Sequence, residues 1–191
     1  MICPHNSSMI RVLKRSQTDF HRSPLLQATI MKFRAEEYYQ ASLERMRQAR
    51  KLCDDRDNDN YALAMYCSGV AVECLLRAFD PVFDGRHDLA KLLKACNFLR
   101  VHDEYMSRRG KSDEEIQKMG RELRAAMNEV VLLWRNNLRY ASEAKLRSFL
   151  KEVKRLQGIK GDALKKNTLD LVQASQTMID RGTLLWSSKK R

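Results

Sequence analysis

The sequence predicts an all-α protein, an antiparallel up-and-down helical bundle of five to six helical segments. Three observations carry that prediction. Apolar residues recur at three- and four-residue steps along most of the chain, the period of amphipathic helices. Only 7 Gly and 3 Pro in 191 residues leave little material for the turns of an all-β fold. No run of four or more alternating residues marks a strand. A hydrophobic content of 43% in one domain-sized chain is enough for a real core.

Residues 1–30 read as a flexible basic tail: they mix Ser, Pro, His and Arg, show no helical period and hold +3 of the net charge. Their acidic-poor, Ser- and Arg-containing character faintly resembles an organelle transit peptide, and Met31 is an alternative start. The bundle is expected over 31–182. Ala35, Tyr39, Leu43, Met46, Ala49 and Cys53 form the stripe of a first helix. The Asp/Asn-rich run 54–60 ends it, because those side chains compete for the backbone. A second helix from Tyr61 to Phe79 is apolar nearly all round, so it belongs in the middle of the bundle. Its charges are Glu73 and Arg77, an i,i+4 pair in the favourable order.

After a loop at 80–85, Asp88 leads a short helix carrying Leu89, Leu92 and Leu93, and 99–112 reads as a polar connection. Ser112 and Glu115 make a capping box that begins a long helix with Ile116, Met119, Leu123, Val130 and Trp134 on its stripe. A break is expected near Tyr140–Ser142. A further segment with Leu146, Phe149, Leu150 and Val153 ends at Gly158, and a last one runs from Asp162 to Gly182. Residues 183–191 read as a basic tail.

Cysteines at 3, 53, 67, 74 and 96 form no CxxC or Cys/His cluster, which points to reduced thiols in a cytoplasmic protein with no structural metal. The longest uncharged apolar stretch of any strength is read as Val130–Trp134, far short of the roughly 20 residues that span a bilayer, so no membrane segment is expected. The net charge of +12 is unevenly placed: residues 135–166 hold ten basic groups against three acidic, which is +7 of it. Such clustering is the footprint of a phosphate-backbone binder, although a merely solvated charged face gives the same composition. With Tyr140 and Phe149 the only aromatics there, binding is expected to be poorly selective for sequence.

Three pieces then resemble one family. The second helix, Ala62 to Ala78, looks like the second helix of HEPN domains. His87-Asp88-Leu89-Ala90-Lys91-Leu92-Leu93 resembles that family's short loop and third helix. Arg135-Asn136-Asn137-Leu138-Arg139-Tyr140 falls where the family carries its functional motif. The resemblance implies a helical bundle that commonly dimerises, often as a metal-independent ribonuclease in toxin–antitoxin and defence systems or as the partner of a small nucleotidyltransferase. The motif it implies is an Arg followed, after four to six residues, by a His. Arg135 matches the Arg, Asn136 the polar residue after it, and Tyr140 stands at the His position. A phenol ordinarily titrates near ~10 and is a poor base at neutral pH. Arg15 and His21 also satisfy the spacing, but they lie in the aperiodic tail and read as chance.

The expected function is therefore RNA or nucleotide binding by a HEPN-like homodimer that needs no cofactor. Phosphate contact is assigned to Arg135, Asn136, Arg139, Arg147, Lys165 and Lys166, and Glu73 is a candidate to orient Arg135. Arg135 and Arg139, one turn apart, are expected to grip phosphate together. The rival readings are an active ribonuclease, in which Tyr140 or a His from elsewhere replaces the motif His, and a protein-interaction module with no nucleic-acid role.

Overall fold

The computed structural model describes residues 33–55, 60–82 and 87–189; the expected tail at 1–30, with Arg15 and His21, lies outside them. The described residues form a helical bundle of seven α-helices and one 3₁₀ turn, with no strand among them. The helices are α1 (Ala35–Asp54), α2 (Tyr61–Phe79), α3 (Leu89–Ala95), α4 (Phe98–Arg108), α5 (Asp113–Leu133), α6 (Glu143–Glu152) and α7 (Ala163–Lys189). The 3₁₀ turn, Asn136–Tyr140, lies between α5 and α6.

α2 is the axis of the bundle. It packs on α1, α3, α6, α7 and the 3₁₀ turn, and α7 in turn packs on α1, α4 and α5. Small residues on α2 (Ala64, Ser68, Gly69, Ala71 and Ala78) let neighbouring helices approach, while Met65, Leu75 and Leu76 fill the space between them. Full burial of each of those large side chains contributes about 1.5–3 kcal/mol. By length and apolarity alone α2 could cross a membrane, which corrects the reading of Val130–Trp134 as the longest apolar stretch; most of α2 is instead covered by other helices.

The helix starts follow their sequence signals. Asp88 Oδ1 accepts the Lys91 N–H at 3.0 Å to cap α3. At α5 the Ser112 N–H donates to Glu115 Oε2 at 3.0 Å, and Ser112 Oγ accepts the Glu115 N–H at 3.3 Å. Asp162 Oδ1 accepts the N–H groups of Leu164 and Lys165 at the head of α7.

Four expectations need correction. Among the described residues there are seven helices rather than five or six, because the supposed polar connection at 99–112 contains most of α4. That helix buries Phe98, His102 and Met106, a stripe at four-residue steps that is easily passed over because one of its members is a histidine. α5 stops at Leu133, well before the expected break near Tyr140: Trp134 and Arg135 are both extended. α6 ends at Glu152 rather than Gly158, with Lys154 soon after it in the left-handed region at φ 59°. α7 runs through Gly182, so 183–189 is helix rather than tail, with Leu185 and Trp186 buried. Gly182 is a packing residue: a Cβ there would stand 2.5 Å from the Leu75 side chain. Trp186 stacks on Tyr39 with ring centroids 5.0 Å apart.

Candidate functional site

The residues of interest gather where α5 ends. Trp134 drives its indole against α2 at Gly69, where a Cβ would lie 1.8 Å from Trp134 Cδ1. Its Nε1–H donates to the Tyr66 carbonyl at 3.2 Å. This anchor holds the backbone extended at Trp134 and Arg135 and terminates the helix. Arg135 then turns back on α5. Its Nη1 donates to the carbonyls of Val131 at 2.8 Å, Leu132 at 3.3 Å and Trp134 at 2.6 Å, groups that the helix end leaves without intrahelical partners. The guanidinium also lies 5.3 Å from the centroid of the Phe149 ring. Arginine carries five N–H donors, and Nη1 supplies only two of them. Among the described residues, Nε and Nη2 of Arg135 have no hydrogen-bond partner in this arrangement.

Two clefts meet at Arg135. One, of about 340 Å³, is lined by His87, Asp88, Val131, Trp134, Arg135 and Asn136. The other, of about 530 Å³, includes Arg135, Asn137, Tyr140, Lys145 and Phe149. The first brings together residues far apart in the chain. On its wall, the His87 Nδ1–H donates to Glu73, 2.9 Å from Oε2 and 3.1 Å from Oε1. Glu73 is buried on α2, and its Oε1 also accepts from Arg77 Nε at 2.9 Å. Glu73 thus faces Arg77 and His87, not Arg135 as one sequence reading had it; the i,i+4 pair forms as expected. His87 itself is about half exposed. A carboxylate can only accept, so this contact places the imidazole proton on Nδ1 and makes Nε2 the accepting nitrogen.

The remaining expected residues do not make one site. Arg135 is the extended residue before the 3₁₀ turn and Arg139 lies inside that turn, so contrary to expectation the pair does not sit on one helix face, and the two line different clefts. The Arg139 guanidinium lies 4.7 Å from the Tyr140 ring centroid, and a hydrogen bond to the Tyr66 side chain raises its pKa further. It lines a separate cleft of about 240 Å³ with Tyr61 and Glu143. Tyr140 is 78% exposed, with that cation as its ring contact. Arg147 donates twice to Glu143, at 3.0 and 2.8 Å. Lys165 and Lys166 sit on the first turn of α7, where Lys166 pairs with Asp170.

Arg155, counted in the basic stretch, is a framework residue. It bonds Glu129 on α5, and on α7 it reaches Asp170 at 3.1 Å and Asn167 Oδ1 at 3.0 Å. Asn167 is fully buried and returns a bond from Nδ2 to the Arg155 carbonyl at 2.9 Å. Lys145, Lys151, Lys154, Lys160 and Lys165 have no ion pair among the described residues, so the excess charge of this segment remains on its surface.

The described cysteines, Cys53, Cys67, Cys74 and Cys96, offer no site. Burial pushes the thiols of Cys53 and Cys74 up to about 11 and that of Cys96 to about 12, far from the thiolate form that nucleophiles and metal ligands need. Among the described residues no three His, Cys, Asp or Glu side chains gather as a metal centre would require. His87 enters the sequence reading as a loop residue beside the α3 cap and not among the predicted site residues. The signal available was a loop histidine directly before a helix cap, but its approach to Arg135 depends on how α2 and α5 pack. Comparison with family models, with curated proteins and with solved structures finds no match to this chain.

Proposed function

We propose that this chain binds RNA, or the phosphate of a nucleotide, at the cleft headed by Arg135 and Asn136, with the basic segment that follows as its electrostatic approach. The observation that carries the reading is Arg135 itself. Its Nη1 is committed to the end of α5, which fixes the guanidinium, while its other nitrogens keep their donors unused among the described residues and the residue lines a cleft with Asn136. A preoriented guanidinium loses little entropy on taking an anion and matches phosphate geometry. The surface lysines of 145–165 add the sequence-independent attraction expected for a polyanion. We also propose that the bundle is an antiparallel, HEPN-like one. The apolar second helix at its centre, the His87-Asp88-Leu89 entry to α3 and the position of Arg135 after α5 support that reading. With Tyr140 exposed and turned to Arg139, the 135–140 motif grips rather than reacts.

Retention of labelled single-stranded RNA by the full chain at rising salt tests this. The expected result is affinity that falls steeply with salt and is competed by excess mononucleotide at the Arg135 cleft. No retention even at low salt would overturn the reading in favour of a protein-interaction module.

A second surface supports a homodimer. Between α1 and α2 lies an apolar groove of about 890 Å³, lined among others by Phe33, Tyr38, Leu63 and Val70, with Phe33 and Leu63 exposed. Glu37 stands at one end of the α1 rim and Lys51 at the other. A two-fold contact pairs a patch with itself, so it would set the acidic end of one copy against the basic end of the next. Sedimentation of the full chain should show a dimer, and Leu63→Glu should yield monomers; a wild-type monomer at tens of micromolar would refute this assembly.

A further inference from the structure

Ligand clefts run from about 300 to 1,000 Å³, so the one at Arg135 and His87, about 340 Å³, suits an end group better than a length of strand. Among the described residues its charges are matched but for one. Buried Glu73 meets Arg77 at 2.9 Å, and Asp88 at the head of α3 meets Lys91 at 3.3 Å. Arg135, after α5, is the cation left over, with Asn136 beside it as a neutral donor. The His87 ring, about half exposed, stands among these groups: Glu73 and Arg77 from α2, Asp88 from α3 and Arg135. Its Nδ1–H goes to Glu73, so Nε2 is its accepting nitrogen. A neutral imidazole of that tautomer is a poor host for an internal phosphodiester, a monoanion with acceptors alone, because lone pair would meet lone pair. A phosphate monoester differs twice over. It carries up to two negative charges at neutral pH, and with a second pKa of about 6 it can share a proton. One proton between Nε2 and a phosphate oxygen satisfies both atoms, and together with Arg135 it supplies the two positive charges that the dianion needs.

We propose that this cleft recognises a terminal phosphate monoester, on a nucleotide or at an RNA end, and that His87 selects it over the internal phosphodiester by holding a shared proton. This rests on the phosphate-binding reading above and specifies its ligand. The proton comes from solvent as the dianion binds, and no covalent bond changes. Arg135 takes the other phosphate oxygens with the donors that the end of α5 does not use. Glu73 touches no ligand. It is a positioning residue, which sets the tautomer of the ring and favours the added proton.

The test compares two pairs of ligands on the full chain: single-stranded RNA with a phosphate or a hydroxyl at its ends, and a nucleoside 5′-monophosphate or its methyl ester. Calorimetry in buffers of different ionisation enthalpy counts the protons exchanged. At pH 7.5 the monoester should bind about 10-fold or more tighter than its counterpart, with up to about one proton taken up. The pair that shows this gap tells a strand end from a free nucleotide. At pH 5.5, where an imidazolium can donate to either ligand, the gap should narrow. An Arg135 site acting without the histidine would favour the dianion and release protons instead. His87→Gln should keep its circular dichroism and bind both members of a pair alike, without uptake. Glu73→Gln should move the uptake to lower pH, a change that a purely structural role would not produce. Equal binding within both pairs at pH 7.5, proton release in place of uptake, or a gap that survives in His87→Gln overturns the monoester assignment and leaves the binding reading standing. No binding of any of the four ligands overturns the binding reading, and this one with it.

Discussion

Arg155 and Arg135 belong to the same basic stretch, and the fold gives them opposite tasks. Arg155 is enclosed by Glu129, Asp170 and Asn167 and ties α5 and α7 to the irregular segment after α6. Arg135 forms no ion pair among the described residues: its partners are backbone carbonyls at a helix end and the face of Phe149. The first arrangement consumes a positive charge, and the second orients one while leaving it uncompensated. A count of charges along the sequence merges the two, and only the identity of the partners separates a cation that holds the bundle from one that can hold a ligand.

The comparison can be broken most severely at the residue on which the Arg135 region is built. Trp134→Ala empties the contact with Gly69 and releases the helix end. It is expected to cost about 3–5 kcal/mol in urea denaturation and to abolish RNA retention in whatever fraction stays folded. Arg155→Ala comes next. It leaves Glu129 and Asp170 facing one another without their shared cation, at an expected cost of about 2–3 kcal/mol, while the salt dependence of RNA binding is unchanged. If that variant lost binding in the folded state, the division between framework and ligand cations would be wrong.

Smaller effects probe the other end of α5. Ser112→Ala removes the cap and should lower stability by ~1 kcal/mol with no change in RNA binding. The Lys111 side chain and the Ser112 backbone N–H hold the Glu115 carboxyl down at about 2, against 4.5 when unperturbed. A depressed acid stabilises the fold above its unfolded value, and that contribution is lost as pH falls through the folded one. The gap in thermal midpoint between wild type and Glu115→Gln should therefore be constant above pH 4.5 and close as pH approaches 2. A gap that persisted at pH 2 would mean that the box does not act through its ionised carboxylate.

How much of this was legible beforehand depends on whether the cause lay near in the chain. The ends of α2 are legible in the sequence because an Asp/Asn run precedes it and Asp80-Pro81 follows it. The head of α5 is legible in a capping box four residues wide. α4 was missed because its inward face consists of Phe98, His102 and Met106, and a buried histidine resembles a polar residue in a sequence pattern. Gly182 looked like a helix end, whereas it sits inside α7 to make room for Leu75, a residue from another helix. The candidate site divides in the same way. Glu73–Arg77 followed from i,i+4 spacing, but Glu73–His87 and the meeting of His87 with Arg135 depend on where Trp134 docks on α2, a contact no local pattern encodes.

The most direct test of the central claim is the salt dependence of single-stranded RNA binding by the full-length wild type and by Arg135→Ala. If Arg135 contacts a phosphate, the variant should bind more weakly, and the slope of log affinity against log salt should become shallower by about 0.7, one contact's worth of released counterion on a single strand. Equal affinities and equal slopes would contradict the assignment and leave Arg135 as the cap of α5 alone.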